Sequence, residues 1–518
     1  MSYWKPNTPL SRSEKLICKR LKHTGKLFVF LREQRHRIIN ETIDQELAGM
    51  YHDHPRGKAA VPPALLAMAT LLQSYEQKSD AAAILESVFD KRWQMVLGCL
   101  GNESPPFSQG TLCDFRQRLI THNMDKKLLE HTVQVAKEFG GFCFKKLRVA
   151  FDSAPLQGAG RVEDTFNLIG HALELVVDCA AMQSGQTIEQ IRQLAGTQII
   201  GQSSIKAALD IDWSDSDEKA AALTTLLNDV QQVRQWLTSQ PKSFSQSSPL
   251  CESLELLDTV LNQNIEPDPE GGSRVIDGVT PDRLISLNDR DMKHGRKSSS
   301  RTINGYKQHV AVELSSRLIL ATCVRPANEA EFYAADYLKP EVLNWGEIDE
   351  LQIDRGYLSS PLTLELYDSG KRVVAKPWDP SNKGKFAKKH FKIDLESNQV
   401  TCPEGHTTDI KKKGKTTVRF KAALCQPCPQ RSRCTDSKTG RTIALLEHEA
   451  MMMDLRQYTQ TAQGRAAARE RVKVEHSLAS ICNRKGPRAR YFGMRKNEFD
   501  LNRTAAISNL HIAMNLAA

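Results

Sequence analysis

LRVAFDSAPL, residues 147–156, interrupts a long helical pattern with the first strand pattern of the chain. Its apolar and β-branched residues lead to Asp152, and the turn-forming Ser153 and Pro155 follow. A second short apolar run, ELQID, ends in the same way at Asp354. We therefore predict two β-strands, each with an aspartate at its carboxyl end.

Three further strand patterns accompany these two. GYKQHVAVEL (residues 305–314) alternates, and LILATCV (318–324) runs back after a short turn, so the two predict a hairpin. A helix over AEFYAADYL (330–338) comes next, and KRVVAK (371–376) predicts a fifth strand. Antiparallel strands followed by parallel strands joined through helices are the order of an RNase H-like sheet. The predicted fold class is therefore α/β, with a mixed RNase H-like sheet as its core.

Length and composition indicate a globular protein of several domains. The 518 residues correspond to about three or four domains at roughly 150 residues each. Hydrophobic residues make up 40% and charged residues 25%, which argues against a mostly disordered chain. The sequence shows no apolar run of the ~18 residues that a membrane helix needs, and no hydrophobic targeting segment near its start. A cytoplasmic location is therefore predicted.

Basic residues are concentrated in two segments of the second half of the chain. Residues 381–421 and residues 463–503 each hold eleven Lys and Arg against four Asp and Glu, within a net charge of +10. Such segments favour a polyanionic partner, because Lys and Arg release the counterions condensed on nucleic-acid phosphates. A solvated basic surface is the alternative, and composition alone does not choose between the two.

A helix predicted over SQGTLCDFRQRLI, residues 108–120, has a similar ambiguity. Leu112 and Phe115 fall on its apolar face, whereas Arg116 and Arg118 point away from it. Exposed arginines on a short helix suit DNA contact, as in helix-turn-helix proteins, and an ordinary surface helix has the same pattern. We take the two arginines as candidate DNA contacts.

Six segments make up the predicted domain organisation. In chain order they are a helical N-terminal DNA-binding domain (1–145), the first strand of the core (146–165), a mainly helical insertion (166–300), the continued core (301–380), a Lys-rich module with clustered cysteines (381–440) and C-terminal core helices (441–518). The core is thus expected to be assembled from parts that lie far apart in the chain.

Three carboxylates form the candidate catalytic centre. If the strands ending at Asp152 and Asp354 are neighbours in one sheet, the two side chains lie side by side, and a helix predicted over 460–481 adds Glu475. Oxygen ligands of this kind suit Mg²⁺ or Mn²⁺. Two such ions about 3.5–4 Å apart can activate an attacking oxygen and stabilise a leaving oxygen in phosphodiester chemistry. The alternative is that aspartates at strand ends only cap turns.

Four blocks of sequence follow one another in the chain: AFDSAPLQGAGRVEDTFNLIGHA (150–172), INGYKQHVAVE with SRLILATCVRPANEAEF (303–332), LQIDRGYLSS (351–360) and RERVKVEHSLASICNRKGPRARYFG (469–493). Together they resemble the bacterial insertion-sequence DDE transposases, in the branch with a helical N-terminal domain, an insertion after the first catalytic strand and a cysteine-rich module. The resemblance implies that Asp152, Asp354 and Glu475 are the metal-binding triad and that Arg471 binds DNA phosphate. It also implies strand transfer into double-stranded target DNA, and a homo-oligomer that pairs two transposon ends.

Two positions near the glutamate depart from the pattern of this family. Related transposases have a tyrosine three residues before the arginine, where this chain has Ala468, and a lysine seven residues after the glutamate, where it has Cys482. Arg484 and Lys485 follow closely, and we take them as candidate contacts to DNA phosphate. The departures leave open a degenerate copy with reduced activity.

Four cysteines cluster beyond residue 400, whereas the other eight are scattered. The four are Cys402, Cys425, Cys428 and Cys434, and the CQPC turn places two thiolates where they can bind one Zn²⁺ ion. A zinc-ribbon-like module is predicted, because this Lys-rich segment has few apolar residues with which to fold unaided. A typical ribbon has two such pairs, so His406 is an alternative ligand. A reduced cluster without metal is the other alternative.

The predicted function is that of a DNA transposase that cuts at transposon ends and joins the ends to target DNA, with Mg²⁺ or Mn²⁺ at the carboxylates and Zn²⁺ at the cysteines. Two other classes of function stay open. One is an inactive relic that binds DNA without cutting it. The other is a metal-dependent nuclease that cuts without joining.

Overall fold

The computed structural model describes residues 3–51, 60–199, 201, 204–278, 280, 282–296, 301–378, 382–410 and 417–517. Polar residues cap the helices of its N-terminal part: Ser11 forms a capping box with Glu14, and Ser108 accepts a hydrogen bond from the backbone N–H of Thr111. These helices are α1 (Arg12–Leu21), α2 (Lys26–Ile38), α3 (Glu41–Gly49), α4 (Pro63–Glu76), α5 (Asp80–Phe89), α6 (Lys91–Leu97), α7 (Gln109–Thr121) and α8 (Met124–Gly140).

The first strand and a mainly helical insertion follow. Asp164 accepts hydrogen bonds from two backbone N–H groups and so starts the first helix of the insertion. The insertion buries an apolar cluster of its own, which includes Leu173, Leu226 and Leu257. The elements are β1 (Lys146–Gln157), α9 (Thr165–Ser184), α10 (Ile188–Ala195), α11 (Ile205–Leu209), α12 (Ser216–Thr238), α13 (Lys242–Ser245), α14 (Ser248–Asn264), β2 (Ile265–Pro267) and β3 (Ser273–Val275).

The remaining strands of the main sheet come after the insertion. They and their helices are β4 (Lys293–Arg296), β5 (Thr302–Glu313), β6 (Ile319–Pro326), α15 (Ala334–Leu343), β7 (Glu347–Gln352), α16 (Pro361–Asp368) and β8 (Arg372–Val374). The order across the sheet is β6–β5–β1–β7–β8, and β4 pairs with the beginning of β5. The pairs β6–β5 and β5–β1 are antiparallel, whereas β1–β7 and β7–β8 are parallel. The predicted hairpin and the predicted mixed α/β sheet are confirmed.

The predicted end of the first strand is wrong. Asp152 does not end β1, which continues to Gln157 because β5 remains paired with it along its other edge. The parallel pairing with β7 stops earlier, and Ala150 opposite Gln352 is its last pair. Asp152 therefore lies just past the parallel pairing, inside a strand that is still held on one side.

A small unit with clustered cysteines follows the sheet. Its apolar cluster includes Phe391, Val400 and Phe420, all buried. Residues 411–416 of the predicted Lys-rich segment lie outside the described residues. The elements of this unit are β9 (Lys392–Asp394), β10 (Gln399–Thr401), β11 (Thr407–Asp409), β12 (Thr417–Arg419), α17 (Ala422–Cys425), α18 (Arg431–Cys434) and β13 (Thr442–Ala444).

Four helices complete the described chain: α19 (Glu449–Gln460), α20 (Ala462–Glu470), α21 (Val472–Lys485) and α22 (Met494–Ala517). The prediction of one helix over 460–481 is wrong, since α20 and α21 are separated at Arg471. Both Glu470 and Arg471 bond to side chains of β1 at this break. α22 packs against α8, α4 and β6, so it joins the N-terminal helices to the sheet in one apolar cluster.

One helix of the described residues, α9, is long and apolar enough to cross a membrane. The expectation that no segment reaches that length and composition therefore does not hold for α9. Of its most apolar window, 67% is buried inside the protein. Leu168, Leu173 and Val176 of this helix contribute to the apolar cluster of the insertion, as expected for a core helix.

Candidate functional site

The side chain of Arg471 brings two of the predicted carboxylates together. Arg471 Nη2 lies 3.2 Å from Asp152 Oδ1, and Nη1 lies 3.1 Å from Glu475 Oε1. Asp152 belongs to β1, and α21, which carries Glu475, packs across that strand. A strand carboxylate and a helix carboxylate therefore meet at a single guanidinium.

Asp354 lies two residues beyond β7, at the start of the 3₁₀ turn Arg355–Tyr357, and its side chain is exposed. Burial raises the pKa of Asp152, and the negative charges of Asp354 and Glu475 raise it further, whereas Arg471 lowers it. The three carboxylates thus influence one another electrostatically. Their charges converge where β1 and β7 cease to pair.

A second ion-pair group fixes the break between α20 and α21. Arg148, four residues before Asp152 on the same face of β1, bonds to Glu470 and, at 3.0 Å, to the buried Glu350 of β7. The bond to Glu470 holds the residue that precedes Arg471. Sequence analysis missed this group. The spacing of Arg148 and Asp152 was a signal for it, because residues i and i+4 of a strand lie on the same face.

A fully buried aromatic pair lies under the turn after Asp354. The hydroxyl of Tyr357 and Nδ1 of His309 share a hydrogen bond of 2.5 Å, and both side chains are buried. Burial lowers the pKa of His309 to about 3, so the ring is neutral at physiological pH. The pair anchors the Arg355–Tyr357 turn to β5.

The two basic residues predicted after the glutamate are engaged within the protein. The side chain of Lys485 is 2% exposed, and its Nζ lies 3.1 Å from Asp500 Oδ2. Arg484 donates to the carbonyl oxygen of Tyr75 at 3.3 Å and stacks over the ring of that tyrosine. In this conformation the ammonium of Lys485 is not at the surface, because Asp500 on α22 holds it inside.

The two arginines of α7 also have partners. Arg116 forms an ion pair with Asp80 at 2.5 Å and donates to the hydroxyl of Tyr491 at 3.1 Å. The guanidinium of Arg118 lies over the ring of Tyr51, with its carbon 4.5 Å from the ring centroid. Their contact with DNA stays a prediction.

The two departures from the family pattern have different surroundings. Ala468 is exposed on α20, so its side chain lies at the surface of the protein. Cys482 is half-buried on α21, and its sulfur accepts a hydrogen bond from Gln308 Nε2 at 3.2 Å. Cys482 therefore faces β5, at the same sheet that carries Asp152.

The carboxylates have the donor chemistry of a divalent-cation site. Mg²⁺ and Mn²⁺ bind carboxylate oxygens, and Asp152, Asp354 and Glu475 supply them. In the part of the chain that the structure describes, no group of three or more His, Cys, Asp or Glu side chains is arranged to hold a metal ion. Between Asp152 and Glu475 the positive charge is that of Arg471.

The four predicted zinc ligands line one cavity. Cys402, Cys425, Cys428 and Cys434 all face it, together with His406. Burial raises the pKa of Cys434, and charge on the other three would raise it further. Thiolates are the donor set of a structural zinc site, so the residues fit Zn²⁺ in kind. Their described positions nevertheless form no grouping close enough to hold a metal.

The sheet and the helices around it define an α/β protein, and the carboxylate–arginine cluster lies where β1 and β7 stop pairing. Residues 401–513 match the family model described as Transposase DDE domain, and residues 25–118 match the one described as Transposase domain (DUF772). The search of curated proteins and the search of solved structures gave no match. The matches confirm the resemblance, so the chain carries the domains of an insertion-sequence DDE transposase. Asp152 and Asp354 lie between the two matched segments, whereas Glu475 and Arg471 lie within the first.

Proposed function

We propose that this transposase cuts DNA at the ends of its own element and joins those ends to target DNA, with Asp152, Asp354 and Glu475 as the catalytic carboxylates. The observation that carries the proposal is the bridge from Asp152 through Arg471 to Glu475. It brings together residues from the first strand and from a helix more than 300 positions later. The strand order β6–β5–β1–β7–β8 supports an RNase H-like core, in which the carboxylates lie where β1 and β7 stop pairing.

The reaction consists of two phosphoryl transfers. In the first, a water oxygen attacks a phosphorus at the transposon end, and the 3′ oxygen of that end leaves with a proton. In the second, this 3′-OH attacks a target phosphorus and displaces the 3′ oxygen of the target strand. Divalent cations held by the three carboxylates would activate the attacking oxygen and stabilise the leaving one.

The protein's own residues bind and orient the DNA. Arg471 would exchange a carboxylate for a DNA phosphate, since a guanidinium can donate two parallel hydrogen bonds to either group. Arg116, Arg118 and Arg484 are further candidate contacts, each of which would first have to leave its present partner. For Lys485 the buried pair with Asp500 argues for a structural role.

The remaining parts of the proposal concern organisation. The domain boundaries predicted above, a zinc-ribbon-like cysteine module, a homo-oligomer that pairs two ends and a cytoplasmic location all belong to it. The separate apolar clusters of the insertion and of the cysteine unit support treating those two parts as units. The inactive relic and the nuclease that cuts without joining are the competing functions.

Labelled DNA from either side of the gene provides the test. Purified protein is incubated with this DNA, a target plasmid and Mg²⁺ or Mn²⁺, and cleaved and joined strands are counted. Asp354→Asn and Glu475→Gln should abolish both products. Asp349→Asn should not, because Asp349 is a partly exposed aspartate within β7 that is paired with Lys371.

Three outcomes decide among the functions. Cation-dependent joining that both site variants abolish supports the transposase. Cutting without joining would replace it with a nuclease. A protein that binds the ends and leaves them intact with either cation would be the inactive relic.

A further inference from the structure

Glu331 touches both of the chain segments that carry the catalytic aspartates. Its Oε1 accepts a hydrogen bond from the hydroxyl of Ser153 at 2.6 Å, and Ser153 directly follows Asp152. Its Oε2 lies against Gly356, where a Cβ atom would stand 2.0 Å from that oxygen, and Gly356 is two residues beyond Asp354. One carboxylate thus lies between the two aspartate segments.

The contact with Ser153 leads directly to Asp152. The backbone N–H of Ser153 donates to Asp152 Oδ1 at 2.9 Å, while its hydroxyl donates to Glu331. Ser153 and Asp152 point to opposite faces of β1, because successive strand residues alternate. A bond that fixes Ser153 from one face therefore also fixes the N–H group that orients the Asp152 carboxylate.

The contact with Gly356 is steric. The 3₁₀ turn Glu331–Tyr333 packs against the 3₁₀ turn Arg355–Tyr357, and the absence of a side chain at Gly356 leaves room for the glutamate carboxylate. Any larger residue would push either the glutamate or the turn. The separation of the two turns is therefore set by how closely Glu331 approaches the backbone.

A lysine supplies charge next to this carboxylate. Lys307 on β5 donates to the carbonyl oxygen of Glu329 at 2.8 Å, and burial lowers the pKa of Lys307 while the charges of Glu331 and Glu329 raise it. Glu331 therefore stands in a partly buried place with a cation nearby.

We propose that Glu331 is a positioning residue that sets the distance between Asp152 and Asp354. The inference rests on the proposed function, since that distance matters only if both aspartates hold the same cations. Groups that orient metal-binding carboxylates in this way typically change cation affinity by about 10- to 100-fold when they are removed. Glu331 acts through Ser153 and Gly356 and does not itself touch DNA.

A simpler role for Glu331 is to stabilise the first turn of its own helix. The test therefore measures cation binding, which the loss of that role alone would not change. Mn²⁺ binding to DNA-free protein is measured by electron paramagnetic resonance of the free ion. Glu331→Ala removes both contacts and should weaken binding about 10- to 100-fold. Glu331→Gln retains an oxygen for Ser153 and the bulk beside Gly356, so it should recover most of the affinity.

Glu329→Ala is the matched control. Glu329 lies two residues earlier, and its carboxylate pairs with Arg325 at 2.5 Å and 2.8 Å. This variant removes one negative charge near Lys307 without touching either aspartate segment through its side chain. It should bind Mn²⁺ like the unmodified protein, and thermal unfolding of each variant shows whether the fold is retained.

Gly356→Ala examines the same contact from the other side. The added methyl group should displace the carboxylate and weaken Mn²⁺ binding in the presence of Glu331. When Gly356→Ala is combined with Glu331→Ala, the added methyl group has room because the glutamate carboxylate is gone. The double variant should therefore bind Mn²⁺ no more weakly than Glu331→Ala alone. In DNA cleavage, Glu331→Ala should raise the cation concentration for half-maximal rate while the rate at saturating cation approaches that of the unmodified protein.

Several results would overturn the proposal. Equal Mn²⁺ affinity in Glu331→Ala and the unmodified protein would do so, as would equal weakening in Glu331→Ala and Glu329→Ala, or additive losses in the double variant. Failure of the proposed function has a different signature, which appears without any change at Glu331. The unmodified protein would then bind no Mn²⁺, or Asp152→Asn would bind it equally well.

Discussion

Arg471 and Asp152 form an ion pair across the junction of a helix and a strand, with Nη2 of the arginine 3.2 Å from Oδ1 of the aspartate. The same guanidinium also forms an ion pair with Glu475, so one positive charge lies between two carboxylates. Arg471 sits at the break between α20 and α21, where Arg148 holds the preceding Glu470 to the same strand. The break just before the helix that carries Glu475 is thus attached to β1 by two ion pairs of opposite polarity.

Replacing Arg471 by Gln should raise the pKa of Asp152 further above its ordinary value. Burial already raises that pKa, as do Asp354 and Glu475, and the arginine charge opposes them. Removal of the opposing charge favours the protonated carboxyl. Carbon NMR titration of Asp-labelled, cation-free protein measures the shift, and Asp152→Asn identifies the signal. An unchanged titration would mean that the ion pair does not persist in solution.

Lys485→Met should destabilise the protein by about 3–5 kcal/mol, as expected when one partner of a buried ion pair is removed. Burial by itself raises the pKa of Asp500, but Lys485 and Arg503 overcome this effect and lower that pKa to about 2. Urea unfolding followed by tryptophan fluorescence gives the stability change. The exposed Lys496→Met on α22 is the control, with a change expected within about 0.5 kcal/mol.

DNA binding separates this structural role from the predicted phosphate contact. If Lys485 is structural, the dependence of DNA affinity on salt concentration should be the same in a folded Lys485→Met protein and the unmodified one. A phosphate contact would instead reduce the slope of log affinity against log salt by about one. That result would show that Asp500 releases the lysine when DNA binds.

Lowering the pH from 7 to 5 should lower the Tm, and His309→Asn should reduce the decrease. Burial lowers the pKa of folded His309 to about 3, whereas an unfolded histidine titrates near 6.5. Between about pH 6.5 and 3 the unfolded chain therefore binds a proton on this histidine, whereas the folded chain does not. The free energy of unfolding that is present above pH 6.5 decreases as the pH falls toward 3. His511, with a pKa lowered by burial to about 4, acts in the same direction.

Differential scanning calorimetry at several pH values checks this expectation. The amide of asparagine can donate to or accept from the hydroxyl of Tyr357, so His309→Asn removes the titration while retaining a hydrogen-bonding group at this position. The control is His23→Asn, an exposed position whose replacement should leave the pH dependence unchanged. If His309→Asn has the same pH dependence as the unmodified protein, the burial of His309 is not maintained in solution.

Purified protein should contain about one Zn²⁺ per chain, lost on chelation and strongly reduced by Cys428→Ser. The four cysteines of the cavity supply the donor set, whereas Cys113 is exposed on α7 and serves as the control substitution, Cys113→Ser. Metal analysis by mass spectrometry gives the content, and thermal unfolding before and after chelation gives the effect on stability. Protein without zinc and with four titratable thiols would establish the reduced cluster instead.

Elements that depend on local pattern could be predicted from the sequence. The hairpin of β5 and β6 follows from alternation that is visible within 305–324, and the α7 start follows from Ser108. The proximity of Asp152 and Glu475 was also expected, because the family resemblance placed both in one site. These features require little knowledge of distant partners.

Features that depend on distant partners could not be predicted. The length of β1 beyond Asp152 is set by β5, which pairs with it as far as Gln157. The burial of Lys485 is set by Asp500 on the next helix, and a lysine within a basic segment has no local sign of such a partner. The break at Arg471 likewise depends on contacts with side chains of β1, including Arg148. The helical periodicity of the local sequence gives no sign of these contacts.

The place of β1 in the chain has a consequence for biosynthesis. Its two neighbours, β5 and β7, follow only after the whole insertion has been made, and the insertion can collapse around its own apolar cluster in the meantime. Pairings over such sequence separations form slowly, and a strand that waits for them exposes both edges to other chains. Asp152 is translated early, whereas Glu475, which we propose acts with it, emerges more than 300 residues later. Until β5 and β7 have been made, β1 is therefore a segment through which a nascent chain can aggregate.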